Sequence, residues 1–171
     1  MPSLWSHPDY DAHETVHYTH DIGSGLSAII AVHSTHLGAG TGGTRFWHYA
    51  DRADALTDVL RLSRGMSYKN AMAGLPLGGG KGVILAGEAR EKTAEMLAAY
   101  GKAIDSLGGR YVTAEDVGID TEDMVQVAKQ TKYVSGLPQS DASEAGGDPG
   151  PFTARGIYLG VCAAVRHKLG R

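Results

Sequence analysis

Two lysines flank the most glycine-rich part of the sequence, and both could act on a polar substrate. Lys69 and Lys81 are separated almost entirely by small or apolar residues, AMAGLPLGGG at 71–80. Lys81 leads directly into an apolar strand, so we expect it to be held against the core. Burial and a neighbouring ammonium both lower the pKa of a lysine, which would make Lys81 a usable general base. The ordinary alternatives are a solvated lysine at a helix end for Lys69 and a surface-loop lysine for Lys81.

An acidic pair, Glu115-Asp116, follows the predicted strand Tyr111–Ala114. In open α/β sheets, ligands bind at the carboxyl edge of the strands, which is where this pair is expected. One carboxylate is expected to stabilise the loop or cap a helix. The other is predicted to belong to a site, and Asp116, beside Val117-Gly118, is the better candidate. The alternative is that both are loop or capping residues.

Two glycine patterns imitate phosphate-binding loops. Residues 38–43 match G-x-G-x-x-G, but the next helix is predicted to start only near residue 51. A dinucleotide site needs the helix N-terminus at the pyrophosphate and an acidic residue about 20 positions later, and neither is present. Gly79-Gly80-Lys81 resembles a P-loop, but Gly82 stands where Mg²⁺ would need Ser or Thr. Neither pattern is predicted to bind a nucleotide.

Hydrophobic periodicity predicts an α/β domain with a mixed sheet, because a hairpin is followed by alternating helices and strands. The last segments are a hinge-like loop and a final helix. The predicted strands are 15–19, 26–33, 83–86 and 111–114, the helices are 51–69, 93–107, 121–132 (with Thr121 as N-cap) and 153–169, and the loops are 74–82 and 135–151.

Composition excludes several classes of protein. The 171 residues carry a formal charge of -3 with scattered basic residues, which argues against a nucleic-acid partner. No apolar run approaches the roughly 18 residues of a membrane span. The N-terminus is acidic and lacks an apolar signal segment, so a cytoplasmic protein is expected. The single cysteine, Cys162, cannot form an internal disulfide and is predicted to be a small buried residue. No metal site is predicted.

The hairpin Thr15 to Val32 is predicted to lie exposed at the edge of the sheet, with a strongly apolar face at 28–32. Unpaired edge strands tend to find a partner strand. We therefore expect at least a homodimer.

Several longer runs occur along the chain: Leu37-Gly38, Gly42-Gly43-Thr44-Arg45, RGMSYKNA at 64–71, Gly74-Leu75, Gly78-Gly79-Gly80-Lys81, GGRY at 108–111 and TAEDVG at 113–118. In this order and at this spacing, the sequence resembles the glutamate/leucine/phenylalanine/valine dehydrogenase family, most closely the leucine/valine/phenylalanine branch. The resemblance covers essentially the whole chain. It implies a three-layer substrate-binding, catalytic and oligomerisation domain spanning residues 1–171, and a branched-chain or aromatic L-amino acid as substrate.

The resemblance also implies residue roles. Lys69 would bind the substrate carboxylate with the backbone at Gly42 and Gly43, and Met66 would line the side-chain pocket.

Lys81 would be the general base that activates water, and Asp116 would assist proton transfer and orient Lys81. Thr153 would lie near the nicotinamide of the cofactor, NAD. Oxidative deamination needs a cation for the carboxylate, a base for water and a carboxylate to manage protons.

Three departures from the family pattern stand out. Family members are about twice as long, and their second half carries the dinucleotide fold, so this Rossmann domain is predicted to be absent and the 171 residues inactive alone. Gly82 stands where the family often has Ser, Thr or Ala, which predicts a looser loop. Residues 137–150 are longer and more acidic than the family pattern. The rival interpretations are a non-catalytic amino-acid-binding module and a purely structural oligomerisation domain.

Overall fold

The computed structural model describes residues 3–138 and 146–170. Within these residues, a short 3-10 turn, Leu4–Ser6, precedes five strands and four helices. In chain order these are β1 (Thr15–Asp21), β2 (Leu26–Ser34), β3 (Gly40–Trp47), α1 (Arg52–Met72), β4 (Gly78–Leu85), α2 (Ala94–Asp105), β5 (Tyr111–Glu115), α3 (Thr121–Ala128) and α4 (Gly150–Leu169).

The five strands form one mixed sheet in the order β1-β2-β4-β3-β5. Strand β2 is antiparallel to both β1 and β4, whereas β3 is parallel to both β4 and β5. The carboxyl ends of β3, β4 and β5 therefore point the same way, as the ligand-binding edge of an α/β sheet requires. The predicted α/β domain with a mixed sheet is confirmed.

Helices cover both faces of the sheet. On one face α1 packs against β2 and β4, and the buried residues there are Ile29, Ala31, Ala55, Val59, Leu60 and Val83. On the other face α2 and α3 pack, with a core that includes Ile30, Val32, Phe46, Ile84, Leu97, Tyr100, Ile104, Met124 and Val127. Because strand side chains alternate between faces, Lys81 points to the same side as Val83, towards α1.

The predicted glycine-rich loop at 74–82 is wrong, because β4 already begins at Gly78. The glycines are strand residues over which other atoms pack closely. A Cβ on Gly79 would overlap Ser67, and one on Gly80 would lie 2.6 Å from the Tyr111 ring. The glycines at 40–43 likewise belong to a strand that the sequence did not predict, β3. Both nucleotide-loop patterns thus lie in or beside strands, with no helix N-terminus directly after them.

Helix α1 begins where the sequence predicts but ends one turn later. The Asp51 carboxylate accepts the Ala53 N–H at 2.9 Å as N-cap. The helix continues to Met72, and Lys69 lies exposed in its last turn, a position that the solvated-lysine alternative also expects.

Helix α3 is shorter than predicted, ending at Ala128 rather than near 132. Its N-cap is Asp120, not Thr121, because Asp120 and Asp123 form a reciprocal capping box. Thr121 instead donates a hydrogen bond to the Glu115 carboxylate at 3.2 Å.

Helix α4 begins at Gly150, earlier than predicted, with Pro151 in its first turn, where proline costs no hydrogen bond. None of its residues is buried. The prediction that Cys162 is buried is therefore wrong, since this residue is only half-buried. Part of the predicted hinge-like loop, residues 139–145, lies outside the described residues.

The prediction that 28–32 forms an exposed apolar face is also wrong. Strand β2 lies between β1 and β4, and residues 28–32 are buried by helices on both sides. Only β1 is at this edge of the sheet, where Tyr18 is largely exposed. Among the described residues, no helix combines the length and apolarity needed to cross a bilayer.

Candidate active site

Lys81 lies near the middle of β4 and is buried, with 5% of its surface exposed. Its Nζ donates a hydrogen bond to Asp116 Oδ2 at 2.6 Å. The surface-loop alternative for Lys81 is therefore wrong. The sequence places the lysine here because the neighbouring glycines let flanking strands and α1 close tightly around it.

Asp116 follows the last residue of β5 and is fixed by a tight turn. The Ile119 N–H donates to Asp116 O at 2.9 Å, and the Phe46 N–H donates to Val117 O at 3.0 Å. Gly118 has φ +81°, and a side chain there would overlap the backbone of Phe46. The turn thus needs glycine both for its conformation and for its packing against β3.

Gly42 and Gly43 bring the backbone of β3 next to the lysine and the acid. A Cβ on Gly43 would lie 2.8 Å from Asp116 Cβ, and one on Gly42 would overlap Gly80 O. Tyr111 Oη donates to Gly42 O at 2.7 Å and holds this part of β3 in place. Larger residues could not occupy these positions without moving the sheet.

An open cleft of about 470 Å³ brings the predicted residues together. Lys69 stands at its exposed rim, and Met66 lies one turn earlier on α1. The lining residues are Thr41, Gly42, Gly43, Arg45, Arg61, Leu62, Gly65, Met66, Lys69, Lys81, Ala114, Glu115 and Asp116. Thr153 is not among them. It lines an adjacent cavity of about 480 Å³ together with Glu115 and Asp116.

The pKa values of Lys81 and Asp116 are both lowered from their ordinary values. Burial lowers the pKa of Lys81 below the ordinary lysine value, and the charge of Arg45 acts in the same direction, although Asp116 opposes both. Burial alone would raise the pKa of Asp116, but the Lys81 ammonium, the Val117 N–H and Arg45 outweigh it, so this pKa is lowered. The direction agrees with the prediction for Lys81, but the predicted neighbouring ammonium is wrong, because the cation that lowers this pKa is the guanidinium of Arg45.

The sequence analysis assigns no role to three residues in or beside the cleft, which are Arg45, Tyr49 and Asp58. Arg45 Nε donates to Asp116 Oδ2 at 3.2 Å, and its Nη1 donates to Asp58 Oδ2 at 2.7 Å. Tyr49 Oη donates to the same Asp58 oxygen at 2.6 Å. One signal in the sequence could have identified Arg45. It comes two residues after Gly43, so the two residues lie on the same face of β3.

Comparison with known proteins identifies the protein family. The family model described as "Glu/Leu/Phe/Val dehydrogenase, dimerisation domain" matches residues 12–133. The chain belongs to this family. It is 49% identical to valine dehydrogenase of Streptomyces albus over 96% of the chain and 44% of that protein. It is also 49% identical to leucine dehydrogenase of Bacillus subtilis, over 94% of the chain and 43% of that protein.

Solved structures of the family share the fold. L-tryptophan dehydrogenase from Nostoc punctiforme superposes with a TM-score of 0.72 at 42% identity, over 93% of this chain and 44% of that one. The hetero-hexameric glutamate dehydrogenase of Thermus thermophilus superposes with a TM-score of 0.71 at 18% identity, which shows the fold alone. The chain thus spans somewhat under half the length of the relatives it matches.

Proposed function

We propose that these residues form the substrate-binding and catalytic part of an NAD-dependent L-amino-acid dehydrogenase. The reaction is L-amino acid + NAD⁺ + H₂O → 2-oxo acid + NH₄⁺ + NADH + H⁺. The observation that carries the proposal is the convergence of Lys69, Lys81, Asp116 and the Gly42-Gly43 backbone on one cleft, with Lys81 Nζ 2.6 Å from Asp116. Family membership supplies the reaction class.

The substrate enters with its carboxylate towards the rim. Lys69 provides the cation there, and the closely approaching backbone of Gly42 and Gly43 supplies polar groups without side-chain obstruction. Leu62 and Met66 give the cleft an apolar wall on α1. Such a wall favours a branched-chain or aromatic side chain over a charged one.

Lys81 and Asp116 manage the protons. Loss of hydride from the amino acid leaves an iminium carbon, and Lys81 in its neutral form takes a proton from the water that attacks this carbon. Asp116, in contact with Lys81, accepts and returns protons as the resulting carbinolamine loses ammonia. A base suits this task when its pKa is low, and burial lowers the pKa of Lys81.

NAD supplies the hydride acceptor when bound. The residues present fit one end of this cofactor: the cavity lined by Thr153 shares Asp116 and Glu115 with the substrate cleft. Thr153 lies in the first turn of α4 and would hold the nicotinamide end beside the substrate. The described residues of the two glycine patterns lie in or beside strands and do not fit a pyrophosphate. We propose that the rest of the cofactor site is contributed from outside these 171 residues, and that the hinge lies before α4.

Association into a homodimer or larger homo-oligomer belongs to the same proposal. The matching family model is described as a dimerisation domain. Strand β1 is an edge strand with Tyr18 largely exposed, as is Ile22 in the turn that follows, so it offers unpaired backbone groups to a second copy. A cytoplasmic location is also proposed.

The test uses the natural polypeptide that carries these 171 residues. NADH formation at 340 nm should be seen with leucine, valine or phenylalanine, and Lys81→Ala should remove it. Lys102→Ala is the matched control, because Lys102 is an exposed lysine on α2, on the opposite face of the sheet. If the natural polypeptide binds these amino acids without forming NADH, the dehydrogenase proposal fails and a binding module remains.

A further inference from the structure

Arg45 lies at the centre of a chain of alternating charges that leads out of the cleft. Lys81 Nζ and Arg45 Nε both donate to one oxygen, Asp116 Oδ2, at 2.6 and 3.2 Å. On its other side Arg45 Nη1 and the hydroxyl of Tyr49 both donate to Asp58 Oδ2, at 2.7 and 2.6 Å. The order is therefore ammonium, carboxylate, guanidinium, carboxylate and phenol.

Strand β3, helix α1 and the segment between them hold the outer part of this chain of charges. Arg45 is on β3, Asp58 is in α1, and Tyr49 is in the segment that joins them. About a quarter of each of the Arg45, Asp58 and Asp116 side chains is exposed, so water screens these ion pairs only in part. An acid on a loop is thus tied to a helix and a strand that form the rigid core of the domain.

Resting on the function proposed above, we propose that Arg45 is a positioning residue. Anchored by Asp58 and Tyr49, it fixes the Asp116 carboxylate in the orientation that contacts Lys81. It is not a substrate-binding group in this assignment, although it lines the cleft.

The geometry favours arginine over lysine. The guanidinium uses Nε for one carboxylate and Nη1 for another, a planar fork that a single ammonium cannot reproduce while keeping both lengths. A lysine at this position would keep the charge but lose the two-sided anchor. Arg45→Lys and Arg45→Gln therefore separate the charge of residue 45 from its geometry.

Arg45 should act on the pKa of Lys81 in two opposite ways. Its positive charge lowers this pKa directly, whereas its hold on Asp116 maintains the contact between Lys81 and Asp116, which raises it. Arg45→Lys keeps the charge but loses the hold, so the pKa of Lys81 should fall; Arg45→Gln loses the charge as well, so its value should lie above that of Arg45→Lys. The other charged residues that line the cleft, Arg61, Lys69 and Glu115, are unchanged in these variants.

A purely structural tie between β3 and α1 is the competing explanation. In that case, Arg45→Lys would lower stability, but the pKa of Lys81 would keep its wild-type value, because the charge is retained and Asp116 is not displaced. Arg61→Gln is the matched control. It removes another arginine from the same cleft, but one whose Nε donates to Asp9 at 2.8 Å rather than to Asp116.

The pKa measurement uses the 171-residue chain with ¹³Cε-labelled lysine, and Lys81→Arg assigns the Lys81 signal. We expect a downward shift in the pKa of Lys81 for Arg45→Lys, a smaller downward shift for Tyr49→Phe, which removes one anchor without changing a charge, and the wild-type value for Arg61→Gln. A wild-type value or an upward shift in Arg45→Lys would overturn the proposal. If Arg45→Lys does not fold, Tyr49→Phe decides on its own: a downward shift supports the proposal, and no shift refutes it.

The kcat and KM of the natural polypeptide give an independent test of the role of Arg45. Arg45→Lys should lower kcat by roughly 10²-fold, the usual cost of displacing a reacting group by about 1 Å, while KM changes much less. Wild-type kcat in Arg45→Lys would refute the positioning role. If the pKa shifts of Lys81 appear but the wild-type protein forms no NADH, the dehydrogenase proposal fails, whereas the role of Arg45 in holding Asp116 stands. If NADH forms and the shifts are missing, only the role of Arg45 fails.

Discussion

Gly82 offers a sharp test of how the site is packed. The glycine lies in β4 directly after Lys81, and a Cβ added to it would come within 3.0 Å of two hydroxyl oxygens, Tyr100 Oη and Thr44 Oγ1. Such separations are not seen for real Cβ atoms. The sequence predicts a loose loop at this glycine, whereas the structure shows the space filled by a buried tyrosine.

The expected cost follows from this overlap. Overpacking a core costs about 1–3 kcal/mol, and Gly82→Ala should fall at the upper end because β2 and β3 fix the β4 backbone on both sides. Tyr100→Phe removes the nearer oxygen and breaks a 2.7 Å hydrogen bond with Thr44, at a cost of about 1 kcal/mol. The double variant should be more stable than the sum of the two losses by about 1–2 kcal/mol.

The assay is urea unfolding of the 171-residue chain followed by circular dichroism. Gly87→Ala is the control, since a Cβ at Gly87 would meet nothing within 4 Å, and it should leave stability nearly unchanged. Additive losses in the cycle, or a Gly82→Ala protein as stable as wild type, would refute the packing explanation. The glycine would then be tolerated for some other reason.

Three further predictions concern activity, association and stability in acid. A polypeptide of these 171 residues should form no NADH from leucine, valine or phenylalanine, because its two glycine patterns lie in or beside strands; measurable turnover would contradict this. The same polypeptide should be at least dimeric by light scattering at about tens of micromolar, through the exposed edge of β1, and a monomeric mass would count against it. Because the pKa of Asp116 is lowered in the folded state, its stabilising contribution is complete above 3.8 and disappears as the pH falls through the folded-state pKa. The loss of stability in Asp116→Asn should therefore be constant from about pH 6 to about pH 4 and shrink as the pH falls further, relative to the exposed control Asp105→Asn; a loss that stays constant below about pH 4 would be evidence against the ion pair.

The elements that the sequence predicts well are those with ordinary hydrophobic patterns. The hairpin, α1, α2 and β5 appear within a few residues of their expected bounds, because alternation and helical periodicity report burial directly. Most of β4 and all of β3 were missed because glycine carries no side chain to reveal a buried strand. Their burial is visible only through neighbours such as Ser67 and Tyr111, which fill the missing volume.

The site was predictable where residue type alone restricts the chemistry. A lysine among glycines beside an apolar strand indicates burial, and Lys81 is buried. The roles of Arg45 and Asp58 depend on tertiary contacts between β3 and α1 that no local pattern encodes. The prediction of Thr121 as the N-cap of α3 failed for another reason. Asp and Thr are both good N-caps, and only the reciprocal hydrogen bonds between Asp120 and Asp123 decide in favour of Asp120.

The central claim is that the two lysines of the cleft have different tasks, and steady-state kinetics of Lys69→Ala and Lys81→Ala in the natural polypeptide test it most directly. Lys69→Ala should chiefly raise KM for the amino acid, because it removes a carboxylate-binding cation at the rim. Lys81→Ala should lower kcat by about 10²–10⁴-fold with little change in KM, because it removes the general base. If Lys81→Ala keeps a near wild-type kcat, or if both variants change only KM, the assignment of Lys81 as the base is wrong.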